Sequence, residues 1–147
     1  MRMRFDQLRP ERPPDMVIGP RHDPYLLRWH LVPRNDAFNV YYHRFLHDDD
    51  DRALHDHPWA SFSIVMQGII REHTEHGARN LIHGDCVFRE PDTAHRLELP
   101  AGPAETLFIT GPRVREWGFH CPKGWVPWQD FVDPENPGEV GPGCGEP

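Results

Sequence analysis

Three features of the 147-residue chain predict an all-β fold, a barrel or sandwich of packed sheets. Apolar and polar residues alternate over many short segments, which is the period of a half-buried strand. Clusters of Pro, Gly, Asn and Asp separate most of these segments, as turns require. No long stretch has the helical period, and 17 prolines argue against a helical fold.

Taken in order, residues 1–15 are polar and carry Pro10, Pro13 and Pro14. They read as an arm, with a short helix possible near Phe5–Leu8. One domain is expected over 16–132. Its strands are Tyr25–Leu31, Phe38–Phe45, Ala60–Gln67, Ile69–Glu75, Cys86–Arg89, His95–Leu99, Thr106–Thr110, Glu116–Cys121 and Trp125–Phe131. Turns are expected at 33–36, 76–77, 83–85, 100–103 and 111–112. Residues 133–147 are too rich in Pro and Gly for a packed element and read as a flexible tail. Cys144 lies in that tail and is set aside as a site residue.

Alternation assigns faces. In an extended Leu54–Pro58, His55 and His57 project together and Asp56 projects away. His95 shares a side with Leu97 and Leu99, so it points inward. Trp117 and Phe119 share the inner side, and His120 lies outside. Two imidazoles on one face, joined by a third from another strand, form a facial ligand set that leaves coordination positions open. Asp56 is read as structural, orienting an imidazole or pairing with Arg52 at the surface. Within Phe38–Phe45, periodicity leaves open whether Tyr41 and His43 or Tyr42 and Arg44 face inward.

Composition narrows the function. Sixteen Lys and Arg against 23 Asp and Glu give a formal charge of −7. A nucleic-acid partner is disfavoured, because phosphate neutralisation needs a basic surface. No apolar run is long enough to span a membrane, and the N-terminus does not read as a signal peptide, so a cytoplasmic location is expected. Cys86, Cys121 and Cys144 are too few and scattered for a disulfide framework, and reduced thiols are expected. Cys121 reads as inert packing. The run Asp48–Asp51 cannot converge on one cation from an extended loop and reads as solvated. Arg89, Arg71 and Arg113 read as surface residues, each also a candidate anchor for a carboxylate.

The segment 55–68, His-Asp-His-Pro-Trp-Ala-Ser-Phe-Ser-Ile-Val-Met-Gln-Gly, resembles the first motif of the cupin superfamily. That motif is HxH, then usually Glu, then Gly. Here the Glu position falls on Ser61, and Gly68 keeps the spacing. Gly84 to His95 resembles the second motif, with Pro91 displaced by one, Asp92 replacing a Gly and Leu99 at the usual Asn. The resemblance covers about residues 38–121. It is similar in its core to a small cupin subgroup with a His-Asp-His-Pro-Trp signature.

The resemblance implies a cupin double-sheet barrel of the jelly-roll type, with a mononuclear metal at one mouth held by His55, His57 and His95. Without the Glu, three histidines remain, as in the thiol dioxygenases of the superfamily such as cysteine dioxygenase. Glu72 or Glu75 is the alternative source of a carboxylate. The expected metal is Fe(II), with Zn, Ni, Mn or Cu as alternatives. The expected activity is a dioxygenase on a small anionic molecule. A non-redox isomerase, epimerase or lyase and a non-catalytic binding protein are the alternatives. Tyr41 and His43 are the candidate proton handlers. Trp59, Arg89 and Trp117 are the candidate substrate contacts. A homodimer through sheet edges or exchanged N-terminal strands is also implied, and Trp125–Trp128 would cap the barrel or join an interface.

Overall fold

The computed structural model describes residues 8–49 and 53–145. In these, strands β1 (Met16–Ile18), β2 (Leu26–His30), β3 (Asn39–Phe45), β4 (Leu54–His55), β5 (Ser61–Gln67) and β6 (Ile70–Thr74) come first. Strands β7 (Gly77–Leu81), β8 (Cys86–Arg89), β9 (Arg96–Glu98), β10 (Ala104–Thr110), β11 (Gly118–Cys121) and β12 (Gly124–Pro127) follow, then one helical turn, α1 (Trp128–Phe131). None of the helical structure is long and apolar enough to cross a membrane.

The large sheet has the order β1-β2-β3-β10-β5-β8, and each pairing in it is antiparallel. The facing layer consists of β12-β11-β4 and β7-β6-β9. A single bridge, His55 opposite His95, connects its two halves. The two residues exchange both backbone hydrogen bonds, at 2.9 and 3.0 Å.

Between the layers, Leu26, Phe45, Val65, Ile70, Leu81, Val87, Leu99 and Ala104 form an apolar cluster that closes one end of the barrel. Gly68 turns β5 into β6 at φ +82°, and a Cβ there would lie 2.8 Å from the Pro103 carbonyl. That explains the glycine which ends the first motif.

The outer face of the large sheet is covered too. Trp29, Tyr42 and Met66 pack there, and the Trp29 indole donates to the Arg12 carbonyl at 2.8 Å. The Tyr42 hydroxyl donates to buried Glu105, which also pairs with Arg44. Tyr41, Tyr42 and His43 are therefore all buried. With both faces covered, alternation could not decide which row of β3 turned inward.

Several expectations change. β1 and β7 were not anticipated. β7 begins at Gly77, inside an expected turn, and its first four residues are exposed and polar or small, as suits an edge strand. The expected strand Trp125–Phe131 ends at Pro127, which has no N–H to continue a ladder, and turns into α1. The helix expected near Phe5–Leu8 falls mostly outside the described residues.

The C-terminal segment has packed structure instead of being a free tail. Val132 bridges Val140, and the Gly141 and Gly143 amides donate to the Phe131 carbonyl. The Asn136 side chain donates to the Gly19 carbonyl at 3.2 Å. Cys144 joins Cys121 in a disulfide with Cα atoms 5.5 Å apart, so these two thiols are not reduced. Exposed Cys86 stays free. Scattered spacing hid the pair, because the chain reverses between β11 and the tail.

Candidate metal centre

The His55–His95 bridge explains how the site is built. A residue pair that exchanges both backbone hydrogen bonds puts its side chains on the same face of a sheet. The two imidazole centroids are 4.9 Å apart. His57 follows two residues after His55, and its amide donates to the Pro91 carbonyl at 3.0 Å. Its ring is 5.1 Å from that of His55 and 5.0 Å from that of His95. One nitrogen from each of the three lies within 4.8 Å of the others.

Burial keeps all three rings neutral. It holds the His55 ring below its usual range and the His57 ring well below it, and it lowers His95 to about 3. Neutral imidazole is the form that binds a metal. The Nδ1 atoms of His55 and His57 are buried without a hydrogen-bond partner. His95 donates from Nδ1 to Glu72 Oε1 at 2.8 Å, so it offers Nε2 to the cluster. Convergent, neutral and partly orphaned nitrogens fit a single transition-metal ion.

Glu72 stands behind His95 rather than within the trio. It is buried, and both of its oxygens are committed. Oε1 takes His95 and Arg89, and Oε2 takes Arg79. Burial pushes this carboxyl up, but the His95 hydrogen bond and the Arg89 charge outweigh that and carry it below the carboxylate range. Glu72 thus orients His95 from behind and is not a ligand. Glu75 is exposed beside His76. Ser61 is buried with an unpartnered hydroxyl and is not part of the cluster.

The trio borders a cavity of about 340 Å³ between the two layers. Trp59 stacks on His57 at 4.9 Å and meets Phe108 edge-on at 5.5 Å. Trp117 meets His55 edge-on and stacks on Trp128 at 5.9 Å, so α1 backs this wall. Trp59, Trp117 and Arg89 all line the cavity. Arg89 is a buried residue, contrary to the surface reading, and its guanidinium is engaged by Glu72 and Ser63. Arg71 and Arg113 bond exposed neighbours, Asn80 and Glu116.

No family model matches this sequence, and no curated relative does. Solved structures do match. The Fe(II) form of HppE superposes with a TM-score of 0.57 at 20% identity, over 69% of this chain and 58% of that one. The DMSP lyase DddQ from Ruegeria pomeroyi DSS-3 gives 0.55 at 19%, over 68% and 54%. A sugar phosphate isomerase of the cupin superfamily from Silicibacter pomeroyi gives 0.51 at 17%, over 69% and 74%. This chain has the cupin fold. It spans little more than half the length of the first two.

Within the cupin barrel, His43 faces the cavity and Tyr41 sits beside it on the same row, its ring stacked at 5.7 Å. Arg28, which the sequence reading did not single out, donates from Nε to His43 Nε2 at 2.9 Å. The accepting nitrogen carries no proton, so His43 is neutral with its proton on Nδ1. Burial, then the Arg28 charge, keep it that way. The only hint in sequence was a charge standing among the apolar residues of β2.

The acidic run also differs from expectation, at Asp49. Asp48 is exposed, as expected of a solvated run, and accepts the Leu99 amide at 2.6 Å, whereas the Asp49 side chain is turned in and accepts the Leu97 amide at 2.8 Å. Asp49 lines the cavity, with Oδ2 3.9 Å from His55 Nδ1. Burial raises its carboxyl against the opposing pull of His55. Residues 50–52 lie outside the described residues, as does the expected Asp56–Arg52 pair. Asp56 is fully buried and accepts from Gly118, His120, Trp125 and Arg115. It fastens the His55–His57 segment to the β11–β12 hairpin.

Proposed function

We propose that this protein is a mononuclear three-histidine metalloenzyme acting on a small anionic organic molecule, with Fe(II) as its metal and O2 as co-substrate. The observation that carries this reading is the convergence of three neutral imidazoles on a cavity wall, with the nearest buried carboxylate tied up behind His95. Three neutral ligands leave the charge of a divalent ion uncancelled, which favours an anionic chelating ligand. When bound, the metal would supply Lewis acidity and open positions for substrate and O2.

The protein's own groups have distinct parts. Glu72 holds His95 in one tautomer. Trp59, Phe108 and Trp117 wall the cavity with rings and limit water at the reacting end. His43 contributes a hydrogen-bond donor through Nδ1, because Arg28 occupies the lone pair a general base would need. Tyr41 supports that arrangement from beneath the Arg28 guanidinium, which lies 4.5 Å from its ring centroid.

The test is metal content of the purified protein by mass spectrometry, beside a His55→Ala, His57→Ala variant. Near-stoichiometric iron in the parent, lost in the variant, with O2 uptake on addition of small carboxylic acids, is the expected result. Zinc or nickel lost in the same way, without O2 uptake, would favour Lewis-acid lyase or isomerase chemistry. The DddQ lyase and the sugar phosphate isomerase share the fold and give that second reading its support. No metal in either protein after reconstitution would sink both.

A further inference from the structure

The large sheet carries a polar row across the cavity from the three histidines. Arg28 of β2 pairs across the strands with His43 of β3, and His43 with Thr106 of β10. All three line the cavity. The row lies two residues along each strand from Leu26, Phe45 and Ala104, which belong to the apolar cluster closing the barrel. The three histidines stand on the opposite layer. Trp59 and Phe108 bridge the distance along the wall, from His57 to a His43–Phe108 stack at 5.2 Å.

The charges in this cavity are unevenly matched. Arg89 is neutralised by Glu72 at 2.6 Å. Arg28 has no carboxylate partner among the described residues. Its Nε hydrogen bond goes to a neutral ring nitrogen, and its cation lies over the face of Tyr41. His43 engages Nε alone, so this bond leaves the donors of both terminal nitrogens to other acceptors. A partly buried guanidinium without a counter-ion is costly, and an incoming anion would relieve that cost.

We infer that Arg28, with the Nδ1–H of His43 beside it, forms an oxyanion subsite facing the metal trio. The ligand then carries a carboxylate or phosphate at the end remote from the metal-binding end. This rests on the proposed function only for what the other end meets. Anion capture by Arg28 needs no metal. The planar fork suits bidentate contact with either oxyanion. Arg28, rather than Arg89, becomes the residue that selects for charge.

The experiment titrates chelator-treated protein with succinate and with inorganic phosphate at fixed ionic strength, by calorimetry and thermal unfolding. The proteins are the parent, Arg28→Gln, Arg28→Lys and the surface control Arg71→Gln. The expected result is saturable binding of at least one anion to the parent and the control, weakened at least about tenfold in Arg28→Gln. The unfolding midpoint of Arg28→Gln without anion should equal or exceed the parent's, since an unbalanced charge has been removed. Tighter succinate than phosphate points to a carboxylate ligand, and the reverse to a phosphorylated one; both support the subsite.

Equal binding by parent and Arg28→Gln overturns the inference, as does no binding of either anion to the parent. A lowered midpoint in Arg28→Gln with binding intact also overturns it and makes Arg28 a structural tie between β2 and β3. If Arg28→Gln does not fold, Arg28→Lys decides. Lost fork geometry should weaken binding severalfold, and parent-like affinity overturns the subsite. Zinc affinity, measured on the same proteins, separates the two readings. Anion binding kept with no metal bound fails the metal centre alone.

Discussion

At the scale of single residues, the site depends on where protons and charges are held. Glu72 is the clearest case. It accepts from His95, pairs with buried Arg89 and with Arg79, and has no exposed surface to speak of. Glu72→Gln keeps the shape and removes the charge. Arg89 would then be a buried cation with no counter-ion, at a cost of about 3–5 kcal/mol. The Arg79 arm adds little, because that side chain is more than half exposed. The His95 ring would exchange a charged acceptor for a neutral amide oxygen that Arg89 also needs, so zinc affinity should fall about tenfold. Urea unfolding and a competitive chelator titration measure the two effects separately. A stability loss with unchanged metal affinity would make Glu72 a packing carboxylate and not a support for the metal.

At the scale of elements, the strand that carries His55 is held by side chains more than by ladder. β4 has only two residues, and it pairs with β11 through Phe119–His55 and His120–Leu54. Asp56 makes up for the short ladder by gathering the Gly118 amide, the Trp125 indole, the His120 ring and Arg115. Gly118 has to be glycine for this approach, because a Cβ there would meet the Val126 carbonyl at 2.2 Å. Asp56→Ala leaves those donors unmatched, and a loss of about 1–3 kcal/mol is expected, limited by the water that reaches Arg115 and His120. Zinc affinity should fall with it, since His55 and His57 flank the anchor. A melt and a zinc titration check this, and full affinity in a destabilised variant would show that the ligands hold their places without the hairpin.

The same local logic explains what could be read from the sequence. His55, His57 and His95 were legible because strand alternation acts over two residues and the motif spacing is short. Ser61 was recognised in the place of a Glu, but the position of Glu72 behind His95 was not, since pairing of β6 with β9 is a tertiary fact. Arg28 and Asp49 were missed for related reasons. One stood between apolar residues on a strand buried on both faces, and the other was hidden in a run of four aspartates.

At the scale of the whole molecule, the barrel is braced from outside by the chain's last described stretch. Phe131 stacks on Phe119 at 3.6 Å, and Phe119 in turn touches the His55 ring at 6.0 Å. Phe131 and Val132 are buried in a cluster that includes Trp117, Cys121 and Cys144. The stretch from Phe131 to Cys144 thus backs the histidine trio, although the Pro and Gly content of 133–147 reads as disorder. Composition misled because few of its residues are apolar, and its order comes from turn hydrogen bonds and one covalent tie. The Cys121–Cys144 bond closes a separation of 23 residues. Loop-closure entropy for that length corresponds to about 3 kcal/mol of stability, if the bond does not strain the native state. Cys144→Ser, or reductant added to the parent, should lower the unfolding free energy by about that amount, and each treatment should make the other redundant. Limited proteolysis should cut residues 133–145 first in the reduced protein, because a few hydrogen bonds and one bridge then hold them. If reduction exposes the tail and also weakens zinc binding, Phe131 and Trp128 help position the histidines through Phe119 and Trp117. If zinc binding is unchanged, the facing layer holds the trio alone and the tail contributes stability without shaping the site. An unfolding midpoint that reductant leaves in place would mean the tail packs without its covalent tie.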